Sequence, residues 1–593
     1  MHINKIHRPA PPMPEEITNL FQIERCEACL GYYRAVGINR HHCLGHPPAL
    51  PSGPVPTQRN IRRMTPQAGA NVNLADRPQI ASPADIADDL VDYLSGITFD
   101  NIFQMKTKTI VEMHHSSVPM WAEALGLIID GIITYAFRAT TGPEDQHRAS
   151  AYIKLFFLLP RLLLSSSRGV ALRARLLLTG RLDAFEKLYN ESNTSPTVNP
   201  PQRTEHQEQK AINRRVSALV KSCDLSRAIN SLTIPPPVEI TQEVVDKVHE
   251  LHPIAQPEHR VPISASTKIN LDPGERIYQF QMLNQVIKDL KVYASPDTTG
   301  LRPGHIKCIF RGRKGPHSTE VRCRNLLDTL IHNIMSDPER FGDDDLWRYF
   351  FGGKLTLLMQ TKPRPIGQKN TLLKVINAIH GRLNDAELRR LAGPGHLNGK
   401  KDGPLAAAVM AQMELDYAQC NPDQARCVLV TDAKNAFQSA SRNNCYRALN
   451  SNEYLRRFLA PFFAMQHKGE QSIVWTQANM VLKASSGFTQ GDINASKFFT
   501  VNTASLVAGL QEAALSATEN EENASVVAII DDITVMGSLN AVRSAEAVRE
   551  ELQKISNYHV NPQKQHVYTM TERHVEAIEE SLPNHEVRYI GNE

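Results

Sequence analysis

Hydrophobic positions along the chain follow two regimes. Between residues 85 and 251 apolar side chains recur at three- and four-residue steps, most densely over 152–164 and 171–189, and predict helices. From residue 354 onward, short β-branched runs alternate with helical patterns. Residues 354–369 predict two strands joined by a basic turn, and 426–431 predict a buried strand. Residues 525–536 predict a strand, a tight acidic turn and a returning strand, while 496–510 and 540–556 predict apolar and amphipathic helices. Periodicity lapses over 47–83, rich in Pro, Gly, Asn and Arg, and over the polar stretch 191–208. Both read as linkers, and the acidic insert 519–522 as a surface loop.

Composition narrows the class. A chain of 593 residues exceeds one core, and a prior of roughly 150 residues per domain suggests three to five. Hydrophobic and charged contents of 41% and 22% are those of a globular protein. A net charge of +4 makes any nucleic-acid footprint local. Nine scattered cysteines imply a reducing compartment without a disulfide framework. The N-terminus has no apolar signal core, and the tract 155–164 is short and broken by Pro160 and Arg161. The expectation is nucleus or cytoplasm, not secreted, with no membrane partner.

Candidate chemistry lies at four places. Cys26, Cys29, His42 and His46 form C-x2-C-x12-H-x3-H, the spacing of a small zinc finger, with His41 and Cys43 as alternative ligands. Arg161, Arg168, Arg173, Arg175 and Arg181 lie among leucines, as a solvated helix face or as a basic face for template RNA or DNA. Lys362 and Arg364 at the predicted basic hairpin suit a polyphosphate, Arg as a planar fork and Lys as a point charge. Asp531 and Asp532 repel each other at the acidic turn, a cost that a divalent cation removes. A plain Asp-Asp turn is the alternative. By their residues alone, Asp432 is equally a helix cap, Phe437 a core residue and Lys564 a surface lysine.

The order of these features resembles a reverse transcriptase of the non-LTR, LINE-type retrotransposon family, over roughly residues 285–593. Residues 294–300 look like that family's early "PGPDG" motif, and Lys362 to Ile366 resemble its "RPI" fingertip. Asp432 through Phe437 are similar to palm motif A, D-x4-F, and Gly487 to Asp492 to motif B, GxxQGD. Asp531 and Asp532 occupy the YADD place of motif C, 561–564 look like motif D, and 588–591 like motif E. Ile529 and Ile530 stand where the family has an aromatic and a small residue, and Ile493 to Ala495 replace its Ser-Pro.

The resemblance implies an α+β right-hand polymerase, with fingers and an antiparallel palm sheet backed by helices, after a mainly helical N-terminal region. The expected layout is a finger at 1–50, a linker at 51–84, a helical extension at 85–270, fingers at 271–420 and palm at 421–593, with the thumb apparently missing. It implies RNA-directed DNA polymerisation by two-metal catalysis, with an RNA template, a DNA primer or target and dNTPs. Asp432, Asp531 and Asp532 then hold two Mg²⁺ ions, in addition to Zn²⁺ at the finger. Lys362 and Arg364 clamp the triphosphate, Phe437 underlies the sugar, Gln490 and Gly491 line the templating pair, and Lys564 protonates pyrophosphate. A catalytically impaired nucleic-acid-binding remnant of such an element is the alternative.

Overall fold

The computed structural model describes residues 86–138, 142–166, 169–193 and 239–591, with breaks at 270, 272–274, 313–314, 316, 360–362 and 518–523. Scattered positions between 209 and 229 and two short strands near the N-terminus are also described. The chain divides into the units Met1–Pro78 and Gln79–Glu593. In the first, β1 (Ile23–Arg25) pairs antiparallel with β2 (Tyr32–Arg34). Cys26, Cys29, His42, His46 and Lys362, with the linker at 51–84, fall outside the described residues.

The second unit begins with helices, among them α1 (Val118–Ile132) and α2 (Pro143–Leu164). Pro143 sits at the start of α2, where its missing N–H costs nothing. One apolar core runs continuously from Ile86 through these helices into α3 (Thr319–Ser336) and α4 (Thr371–Leu383). The helical region and the predicted fingers therefore share a core.

The leucine-rich arginine block is split: Arg161 and Arg173 turn inward, Arg175 and Arg181 are exposed, and Arg168 lies outside the described residues. Arg161 is only 4% exposed and donates to the Met105 carbonyl at 2.9 Å, while Arg173 donates to the Leu163 and Ser166 carbonyls. Exposed Arg181 pairs with Asp183. Inward-turned guanidinium groups satisfy backbone oxygens left over at helix ends.

The motif at 294–300 is an anchor within the predicted fingers region. Buried Asp297 accepts from the Thr299 and Leu301 amides and, through its other oxygen, from the Thr371 amide at 2.7 Å, which fixes the start of α4. Gly300, at φ +90°, leaves no room for a Cβ beside Thr107 and Thr109. The turn is thereby docked onto the N-terminal region.

Two sheets follow. The first has the order β4-β3-β6-β7, from β3 (Gly353–Met359), β4 (Pro363–Gln368), β6 (Gln471–Trp475) and β7 (Met480–Ala484). Its β3–β4 hairpin is the predicted basic one. The second, the palm sheet, has the order β11-β10-β5-β9-β8. It comprises β5 (Arg426–Ala433), β8 (Ser525–Ile529), β9 (Asp532–Ser538), β10 (Val560–Thr569) and β11 (Glu586–Tyr589). Four strands are antiparallel as expected. β11 runs parallel to β10, so the sheet is mixed, because the short helix Val575–Ser581 lies between them and returns the chain in the same direction.

Strand periodicity assigns the two palm faces. Cys427, Leu429, Val526, Ala528, Ile533 and Val535 pack under α6 (Ala495–Asn502), α7 (Ala504–Ser516) and α8 (Leu539–Ser556). The single helix expected over 496–510 is broken at Thr503. Val428, Val527 and Met536 face the opposite way, onto α5 (Gly403–Cys420). Asp432 has the parity of Val428, and Asp532 that of Met536. Both carboxylates thus leave the sheet on the α5 side.

Candidate active site

The hairpin β8–β9 closes in two residues, Ile530 and Asp531, because Ile529 pairs directly with Asp532. Ile530 adopts φ +57°. Positive φ at the first of two central positions is the pattern of a II′ hairpin turn, which favours Gly there. A β-branched residue in this region stores roughly 1–3 kcal/mol of strain. The turn is held against its own preference.

The β5–β9 register pairs Thr431 with Ile533, and one further step sets Asp432 across from Asp532. Three carboxylates from separate parts of the sequence thus gather at adjacent strand ends. Burial raises the Asp531 pKa, and the neighbouring Asp432 charge raises it further. Asp532 is pushed up to about 6 by burial and then by Asp531 and Asp432. Among the described residues no three His, Cys, Asp or Glu side chains close around one point. Mg²⁺ bound by one or two carboxylates plus substrate phosphates needs no closed protein cage.

Lys564 arrives through a β-bulge. Val560 pairs with Ala433 and Gln565 with Thr431, so residues 561–564 stand opposite Asp432 alone. The Lys564 ammonium reaches the Asp432 carboxylate while remaining 59% exposed, and that contact raises its pKa. Arg364 is exposed on β4 and close enough to Asp531 for its charge to favour the ionised acid.

The fingertip strand and the glycine loop are zipped together. The Gly367 amide donates to the Gln490 carbonyl at 2.8 Å, and a Cβ on Gly491 would lie 2.7 Å from the Gly367 oxygen. Gln490 is half-buried and Gly491 exposed, beside the strand that carries Arg364. Gly487, at φ +60°, lies so close to the Phe437 carbonyl that a Cβ would be 2.1 Å away. Half-buried Phe437 packs against Phe499 of α6, ring centroids 5.3 Å apart and tilted by 37°. The structure therefore brings Arg364, Asp432, Phe437, Gln490, Gly491, Asp531, Asp532 and Lys564 into one junction between the two sheets.

Arg442 and Lys369 of this junction were not singled out from the sequence, whereas Asp492 closes the motif B resemblance. Arg442, 1% exposed, donates to the carbonyls of Gly487, Ser486 and Ala484 at 2.8, 3.1 and 3.3 Å, and to those of His467 and Gly469. Burial lowers its pKa to about 9. Buried Lys369 donates to the Phe351 carbonyl and, at 2.9 Å, to Thr489, and burial lowers its pKa to about 8. Asp492 accepts from Asn377 at 3.2 Å and Gln466 at 3.3 Å. It is loop scaffolding. A lone Arg or Lys in the sequence carries no signal for such a role.

Residues 354–593 match the family model described as reverse transcriptase (RNA-dependent DNA polymerase). The turn at 294–300 lies outside that match. No curated protein matches the chain. The β5-bearing sheet, the basic hairpin and the acid-bearing turn all lie within, or at the edge of, the stretch that matches this reverse transcriptase model.

Proposed function

We propose that the chain is the RNA-directed DNA polymerase of a non-LTR, LINE-type retrotransposon, adding dNTPs to a primer 3′ end. The observation that carries this reading is the gathering of Asp432, Asp531 and Asp532 at adjacent strand ends, with two pKa values raised by burial and mutual repulsion. A divalent cation fits this set, since hard carboxylate oxygens short of positive charge are what Mg²⁺ satisfies. Asp432 and Asp531 would hold it, with Asp532 beside them. When bound, the metal supplies Lewis-acid stabilisation of phosphate charge.

The chain's own residues do the rest. Arg364, with Lys362 at the same hairpin, holds the triphosphate oxygens. Gln490 and Gly491 line the templating pair, through side chain and backbone. Phe437 packs under the sugar and excludes a 2′-hydroxyl, which selects dNTP over NTP. Lys564 gives a proton to the pyrophosphate oxygen as the Pα–O bond breaks. Primer extension on poly(rA)/oligo(dT) with Mg²⁺ tests this. Wild type should extend, with dNTPs preferred over NTPs, and Asp531→Ala should not; equal extension by both sinks the mechanism.

A catalytically impaired nucleic-acid-binding protein is the second reading, favoured by Ile529 and Ile530 beside the acids and by the strain at Ile530. Binding of RNA–DNA duplex without nucleotide addition would support it. At the N-terminus we propose one Zn²⁺ held by Cys26, Cys29, His42 and His46. The support is that the paired strands β1 and β2 flank the segment containing both cysteines. Zinc measured in the full chain should fall by one equivalent in Cys26→Ser.

A further inference from the structure

One short turn touches all three parts of the candidate site. After α8, Asn557 adopts φ +53° and ends the helix, and the chain re-enters the palm sheet at Val560 opposite Ala433. Within those few residues, the Lys434 amide donates to the His559 carbonyl at 2.6 Å, and the Ser441 amide to the Ser556 carbonyl at 3.0 Å. Both donors follow Asp432 in the motif A segment. The Asn502 side chain, at the end of α6, donates to the Ser556 carbonyl at 2.8 Å. The Tyr558 hydroxyl donates to the Asp531 carbonyl at 2.6 Å. Residues 556–559 therefore hold the strand end bearing Asp432, the helix behind the glycine loop and the acidic turn at fixed distances from one another.

Tyr558 is the member aimed at the acids. Its ring is buried, 2% exposed, in the core beneath α6 to α8. Burial raises the pKa of this hydroxyl and the charges of Asp531, Asp432 and Asp532 raise it further, so it stays protonated and donates, while the Thr431 side chain is its second hydrogen-bond partner. Its acceptor is the carbonyl of the residue whose carboxylate is proposed to bind metal. That peptide follows Ile530, whose left-handed backbone has no intrinsic preference for this shape. Orienting the Asp531 carbonyl orients the Asp531 Cα, and with it the carboxylate.

We propose that Tyr558 is a positioning residue, whose hydroxyl clamps the strained Ile530–Asp531 turn and aims the Asp531 carboxylate at the metal. The inference rests on the polymerase reading above, and its test separates the two. Tyr558→Phe in the full chain removes one hydroxyl and keeps the buried ring. Mn²⁺ binding by electron paramagnetic resonance, without nucleotide, should weaken roughly three- to tenfold, the equivalent of one lost hydrogen bond. kcat for primer extension should fall about as much, with KM for dNTP unchanged. A merely structural tyrosine would lower the melting temperature and leave the metal affinity of the folded protein alone. Wild-type Mn²⁺ affinity and kcat in folded Tyr558→Phe therefore overturn the proposal. Wild-type protein that binds Mn²⁺ but never extends a primer sinks the polymerase reading alone, and the metal titration still judges Tyr558. Wild-type protein that binds no Mn²⁺ overturns both.

Discussion

Two loops meet at the junction of the sheets and handle charge in opposite ways. Residues 485–492 are surrounded by charge that is satisfied internally: Arg442 reaches five carbonyls, Lys369 a carbonyl and a hydroxyl, and Asp492 two side-chain amides. The turn from Ile529 to Asp532 leaves its charge unmatched. Two acids stand side by side with raised pKa values, and the backbone between its strands is strained. The first arrangement is what a fold does to keep buried charge tolerable. The second leans on solvent at exposed Asp532 and is what a cation would relieve. Charge satisfied inside the fold marks scaffolding here, and charge left over marks chemistry.

That contrast can be broken by substitution. The largest effect is expected at the acids: Asp432→Ala and Asp531→Ala should each lower primer extension by roughly two to four decades, with circular dichroism unchanged. Extension within tenfold of wild type would make the turn ordinary. On the scaffolding side, Arg442→Leu leaves several buried carbonyls without a donor and should destabilise the domain by about 3 kcal/mol or more, read by urea unfolding. A loss of extension without a loss of stability would assign Arg442 to chemistry.

A smaller effect concerns pH. A free Asp titrates near about 4, whereas Asp532 in the fold holds its proton up to about 6. The folded state binds the extra proton between those values, so the contribution of Asp532 to stability is present at low pH and lost as pH rises through about 6. Metal-free Asp532→Asn should therefore melt above wild type at neutral pH and level with it in acid. Parallel melting curves would rule out the repulsion. The smallest expected change is Ile530→Gly, which relieves the left-handed strain against a loss of chain stiffness. It should raise metal-free stability by at most about 1 kcal/mol, and a clear loss would show that Ile530 is held by packing.

Much of the site was legible before the fold. Asp432, Asp531 and Asp532 each end or begin a β-branched run, and Gly487 and Gly491 stand in a short polar loop where only glycine permits the backbone approach later seen. These signals are local. The arginine block was legible only as a pattern. Two of its side chains turn inward, because Arg161 and Arg173 meet backbone carbonyls distant from their own helix positions or at a helix end. Arg442, Lys369 and Tyr558 were invisible for the same reason. The carbonyls that Arg442 joins span residues 467 to 487, and Tyr558 meets Asp531 across 27 residues.

By itself, the order of residues located most of the strands and helices, because strand alternation and turn composition act over a few positions, while the acids were singled out by the resemblance. Tertiary structure alone decided which charges find partners. It set Asp432 across from Asp532 through strand register, delivered Lys564 to Asp432 through a bulge, and placed the Tyr558 hydroxyl under the turn. A hydrogen bond or ion pair depends on where both ends lie in space, and that is a property of the packed chain.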